Sequence, residues 1–126
     1  MQDITPIIPA NKKQIESYGD NVVTISGEKF YQTIFLTTEN IFTFSKKFSS
    51  INEISISDLQ EIPNLEKTEI LLAGYGNSSN FFTKEVENYF RERKIPIEYM
   101  NNGAACRTYN ILLSEGREVA CLIFFN

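Results

Sequence analysis

The chain has 126 residues, 42% hydrophobic and 22% charged, which is enough for one globular domain with its own core. Its net charge of −4 and pI near 4.9 exclude a nucleic-acid surface, which needs concentrated Lys and Arg. It contains no histidine, so Ser-His-Asp and Cys-His catalysis, His-containing zinc sites and imidazole acid–base chemistry are excluded together.

The opening "MQDITPIIPANKKQ" carries an early Asp and two prolines where a secretory leader has a basic start and an apolar centre. No apolar run approaches the roughly 20 residues of a membrane-spanning helix. A cytoplasmic protein is expected, with residues 1–14 an irregular lead-in and residues 15–126 the domain proper. Pro6 and Pro9 lack amide donors and restrict their neighbours.

Residues 15–48 are rich in Val, Ile, Thr, Phe and Tyr. They predict antiparallel strands near 22–26, 30–37 and 41–45, with a tight turn at Ser26-Gly27. Phe30, Tyr31, Phe35, Phe42, Phe44 and Phe48 crowd this stretch. Either the sheet is buried on both faces, or some of these rings form a protein-binding or self-association surface. "SISDLQEIPNL" predicts a short helix capped by Ser57 and stopped near Pro63.

Beyond residue 68 the pattern changes. "EILLA" at 69–73 predicts a strand covered on both faces. A "GYGNSSN" loop follows, and residues 83–93 predict a helix with Phe82, Val86 and Phe90 on one face. "IPIEYM" at 95–100 is the next strand. Residues 103–115 are the next helix, with Ala105, Tyr109 and Leu112 inward and Gly116 as its terminal cap. "EVACLIFF" at 118–125 is a last strand. This alternation implies an α/β layer with a largely parallel sheet, extended or covered by the N-terminal antiparallel strands. The helix before Pro96 has to stop at Lys94, which predicts a left-handed conformation there.

Candidate chemistry gathers where strands end and helices begin. Gly74 and Gly76 follow a buried strand, where backbone amides can approach an anion closely. Gly103 and Ala104 open the next helix, and Arg107 and Asn110 share one stripe of it. A small anion held between the two helix starts would explain a cation in the first turn, where the helix dipole disfavours one. An internal carboxylate, Glu98 or Glu85, would explain it equally. Gly-x-Gly-x-x-Ser lacks the third glycine of the dinucleotide fingerprint, so no cofactor is expected, and no metal set is seen. Cys106 and Cys121 sit in apolar flanks and are expected to be buried, reduced thiols.

"AACRTYNILLSEGREVA", preceded by a strand and the "GYG" loop, resembles the small methanobacterial-type domain of unknown function. That family includes the mitochondrial complex I (NADH dehydrogenase) assembly factor three. The likeness covers roughly residues 15–126. It implies a three-layer α/β fold with a central mixed sheet, a role in assembly through protein contacts, and no established catalytic activity. This chain has Gly74-Tyr75-Gly76 where members commonly carry Gly-Thr-Gly, and Lys94 where they often carry Gly. The expected function is a non-enzymatic protein-binding or assembly module. The alternative is a small-molecule or anion-binding protein, even an enzyme, with its site at Gly74, Gly76 and Arg107.

Overall fold

A computed structural model describes residues 11–76 and 81–125. Most of the predicted lead-in and of the Ser/Asn-rich loop lie outside the described residues. The chain begins with β1 (Ile15–Gly19), β2 (Val22–Ile25) and β3 (Glu28–Phe30), a three-stranded antiparallel sheet in that order. Ser26 (φ 49°) and Gly27 (φ 83°) turn the second hairpin. Two successive positive φ angles match the right-handed twist of the flanking strands.

Next come β4 (Ile34–Leu36) and β5 (Ile41–Thr43), a turn of 3-10 helix at Ile51–Glu53, α1 (Ile56–Leu59) and a second 3-10 turn at Leu65–Lys67. They are followed by β6 (Ile70–Gly74), α2 (Lys84–Glu92), β7 (Ile97–Met100), α3 (Asn102–Ser114) and β8 (Val119–Ile123). The second sheet runs β5-β4-β8-β6-β7. It is mixed: β6 is parallel to both β7 and β8, and β4 is antiparallel to both β5 and β8.

Alternation along the strands divides the core between the two faces of this sheet. Phe35, Leu71, Ala73, Ala120 and Leu122 face α2 and the 44–65 segment. Ile34, Leu36, Leu72, Val119, Cys121 and Ile123 face α3 and the small sheet. Three layers result, with the five-stranded sheet in the middle. β8 is buried along its whole length, because it has a neighbouring strand on each side and a core on each face.

The helices start where polar side chains can take their orphan amides. Thr83 accepts from the Val86 N–H, and Asn101 accepts from the Ala104 N–H. Ser55, not the expected Ser57, caps α1; its hydroxyl accepts from the Asp58 N–H, and the Asp58 carboxylate accepts from the Ser55 N–H. Ser57 sits two residues too late, inside the helix. Lys94 has φ 60° after α2, and Gly116 has φ 78° after α3.

Three further expectations are corrected. The strand predicted at 30–37 is two strands in different sheets, because the chain leaves the small sheet at Tyr31 and enters the large one at Ile34. β1 was not singled out as a strand; only Ile15 of its residues is buried, so it carries no apolar alternation. On α3 the fully buried leucine is Leu113, and Leu112 packs at the margin.

Candidate functional site

The end of β6, the end of β8 and the start of α3 meet at one edge of the large sheet. Gly74 is there because nothing larger fits: a Cβ would lie 2.6 Å from the Asn102 Oδ1 and 2.7 Å from the Leu122 carbonyl oxygen. Gly76 has φ 67°, and a Cβ on it would lie 2.6 Å from the Phe124 carbonyl oxygen. Asn102 joins the three elements. Its Oδ1 accepts from the Gly76 N–H (3.2 Å), and its Nδ2 donates to the Phe124 carbonyl (2.9 Å).

The outer face of α3 meets β1. The Tyr18 ring lies over Gly103, where a Cβ would come within 3.0 Å of it. The Arg107 guanidinium donates to the Tyr18 hydroxyl. Neither Glu98 nor Glu85 forms an ion pair with Arg107, and no other carboxylate among the described residues does. Arg107 is exposed and is the sixth residue of α3, in its second turn and not its first as expected, so the helix dipole bears little on it and no counter-anion is required. Asn110 imitates a strand partner: Oδ1 accepts from the Ile15 N–H (3.0 Å) and Nδ2 donates to the Ile15 carbonyl (2.7 Å). The buried Tyr109 hydroxyl donates to the Lys13 carbonyl (2.7 Å), with the Thr37 carbonyl at 3.1 Å.

Tyr18 thereby divides the predicted site. On one side is a cleft of about 480 Å³ with Asp20, Asn21, Gly76, Asn102 and Gly103 among its lining residues. Its one charged side chain among the described residues is Asp20. On the other side Arg107 and Asn110 line a separate, shallower cleft of about 350 Å³ that also contains Glu16. Gly74, Gly76, Gly103 and Ala104 do come together. Gly74 is buried, the Gly76 and Ala104 amides are bonded to asparagine side chains, and the Asn110 amide is fully engaged by β1.

Both cysteines are buried. Burial pushes the Cys106 thiol up to about 12, against the pull of the adjacent Arg107 charge. Burial holds Cys121 well above the usual thiol range too. A protonated, enclosed thiol is a poor nucleophile.

The aromatic stretch is mostly interior. Phe35, Phe44 and Phe48 belong to the α2-side core, and Phe42 packs edge-on against Phe44 at 5.2 Å. Phe30 packs on the α3-side core. Tyr31 alone of the six is well exposed, at 68%. Among the described residues, Tyr18, Phe81 and Ile111 are the other exposed large apolar side chains, scattered over different elements. Sequence reasoning did not select Tyr18 or Asn102. Asn102 stood next to the predicted helix start, and its residue type was the available signal; Tyr18 carried none.

The α2 side has a further feature. A groove of about 420 Å³ runs between α2 and β7, lined by Arg91, Lys94, Ile95, Pro96, Ile97 and Tyr99, with Glu87 at its margin. The Tyr99 hydroxyl donates to the Glu87 carboxylate, and burial with that carboxylate raises the phenol above its ordinary value. No helix among the described residues is long and apolar enough to cross a membrane.

A family model described as a protein of unknown function, DUF498/DUF598, matches residues 15–124. The chain is 27% identical over 95 residues to the "13 kDa major membrane protein" of Francisella tularensis subsp. holarctica (strain LVS), covering 75% of this chain and 76% of that one. It is 34% identical over 79 residues to the NADH dehydrogenase (ubiquinone) 1 alpha subcomplex assembly factor 3 of Drosophila melanogaster. That match covers 60% of this chain and 39% of the assembly factor, so the chain spans well under half of that relative. A solution structure of a Bordetella pertussis protein described as a Mth938-like domain superposes with a TM-score of 0.75 at 23% identity, covering 98% of this chain and 92% of that one.

Proposed function

We propose a function from one premise: this chain belongs to the family of proteins of unknown function DUF498/DUF598. It is a non-enzymatic, protein-binding module that serves the assembly of a larger respiratory complex from the cytoplasmic side. The observation that carries this reading is the state of the groups at the sheet edge. Asn101, Asn102, Arg107 and Asn110 are each hydrogen-bonded within the fold, and both thiols are enclosed, so the residues best suited to chemistry are engaged in structure. The names of the assembly-factor relatives support the same direction.

The test is deletion in the source organism followed by native electrophoresis of membrane complexes. Deletion is expected to accumulate respiratory subassemblies, and a tagged copy is expected to co-migrate with one of them. Unchanged complexes, with the tagged protein running only at its own mass, would reject the reading. The anion-binding alternative has weaker support, because a carboxylate faces each cleft.

A further inference from the structure

β7 is an edge strand: β6 is its one sheet neighbour. In a parallel ladder the N–H and C=O of a given residue point to the same side. The Leu71 N–H donates to the Pro96 carbonyl (2.9 Å) and the Tyr75 N–H to the Met100 carbonyl (3.1 Å), so the even-numbered residues of β7 face β6. The N–H and C=O of Ile97 and Tyr99 therefore point outward, and no described residue pairs with them across that edge. Such an edge is a template for another strand.

The side chains say what kind of strand. Ile97 and Tyr99 lie on the α2 face, at the apolar floor of the α2–β7 groove. Glu98 points to the opposite face, is exposed, and has no ion-pair partner among the described residues. An incoming strand meets on one face a groove with an apolar floor, whose α2 side carries Arg91 and Lys94 and so disfavours further cations there, and on the other face the Glu98 carboxylate.

We propose that β7 docks an extended segment of a partner protein in which apolar and basic residues alternate, laid alongside it as a sixth strand of the large sheet. This rests on the protein-contact reading above and names the surface and the partner chemistry. Apolar residues fill the groove over Ile97 and Tyr99, and a Lys or Arg stands opposite Glu98. A second copy of this chain is the wrong occupant. The antiparallel pairing that satisfies Ile97 and Tyr99 on both copies sets Glu98 directly opposite its own counterpart, and like charges in that position destabilise a strand pair.

The experiment uses the nitrogen-15-labelled full chain and two capped peptides, Val-Lys-Val-Lys-Val and Val-Glu-Val-Glu-Val. The lysine peptide is expected to shift the Ile97 and Tyr99 amide resonances and to bind at least about fivefold more tightly than the glutamate peptide. Glu98→Lys, an exposed substitution that leaves the core untouched, is expected to reverse that preference. Ile97→Pro removes an outward donor at an edge that tolerates proline, and should weaken both peptides. No β7 shifts at millimolar peptide, equal binding of the two peptides, or an unaltered preference in Glu98→Lys would each overturn the proposal. So would a wild-type dimer in sedimentation with its contact mapped to β7. Those outcomes leave the assembly reading standing, since native electrophoresis detects a partner held by any surface. Loss of co-migration with intact peptide binding would sink the assembly reading alone.

Discussion

Asn102 occupies the first position of α3, where a side chain is normally free to face water. Here its amide has one use for each end, the Gly76 N–H and the Phe124 carbonyl. Replacing it by Ala strands two half-buried backbone groups, and leaving such groups unsatisfied costs about 1–3 kcal/mol. Asn102→Ala should lower the unfolding free energy by that amount in urea titration; an unchanged midpoint would show that water replaces the amide without loss. The glycines around it were readable from sequence because glycine before a helix signals close backbone approach. Their purpose was not. The sequence suggested room for an anion; in the fold, Cβ atoms at Gly74 and Gly76 would fall against the Asn102 side chain and backbone carbonyls of β8 and its end, beside the cleft of about 480 Å³. Tyr18, which separates Arg107 from the glycines, is 89 positions away in sequence from its partner. No local pattern encodes a meeting across that distance.

Short elements depend on their ends. α1 is one turn long, and too few internal hydrogen bonds form to hold it without its cap. Burial raises the Asp58 carboxyl, but hydrogen bonds from Ser55 and the Lys46 ammonium at 2.9 Å outweigh it and leave the group below its ordinary value. A depressed folded value means that the charged form stabilises the fold above the unfolded value and is lost as pH falls through the folded one. Asp58→Asn should cost about 1–2 kcal/mol near neutrality, and the gap from wild type should close below about pH 4. Urea melts across that window measure it; a gap constant to pH 2 would contradict a role for the charge. At the end of α2, Lys94 holds a left-handed conformation at φ 60°. A side chain there is strained by about 1 kcal/mol, so Lys94→Gly should leave the melting temperature unchanged or raise it. A clear fall would mean that the Lys94 side chain contributes more than its backbone costs. The β6–α2–β7–α3–β8 series was legible to within a few residues, because period and punctuation agree at each element. The N-terminal strands were less so. β1 has one buried residue, and 30–37 is rich in strand-forming residues, with no Gly, Pro, Asn or Asp to mark the change of sheet.

At the scale of the molecule, the small sheet is attached to the rest through α3. Ile15, Val23 and Ile25 enter the α3-side core, and Asn110 grips Ile15 by both backbone groups. Hydrogen exchange should show β1 and β2 opening as a unit before the large sheet does. Asn110→Ala should speed exchange at β1 and β2 amides by tenfold or more, at about 1.4 kcal/mol per decade, while β6 and β8 amides move little. Equal acceleration in both sheets would show that they open together. The division into two faces could be read from alternation, but which layer covered which face could not, since that depends on connections and not on composition. The central place of β8 has a consequence for biosynthesis. Every other strand of the large sheet precedes it in the chain, yet β4 and β6 touch it on either side and do not pair with each other. While the polypeptide is being made, the β4–β5 hairpin and the β6–β7 pair are separate fragments with their inner edges bare. Only when residues 119–123 clear the ribosome can a single strand close both gaps. A premature stop just before Val119 would therefore leave two sticky half-sheets, a substrate for chaperones or proteases in place of a slightly shortened protein.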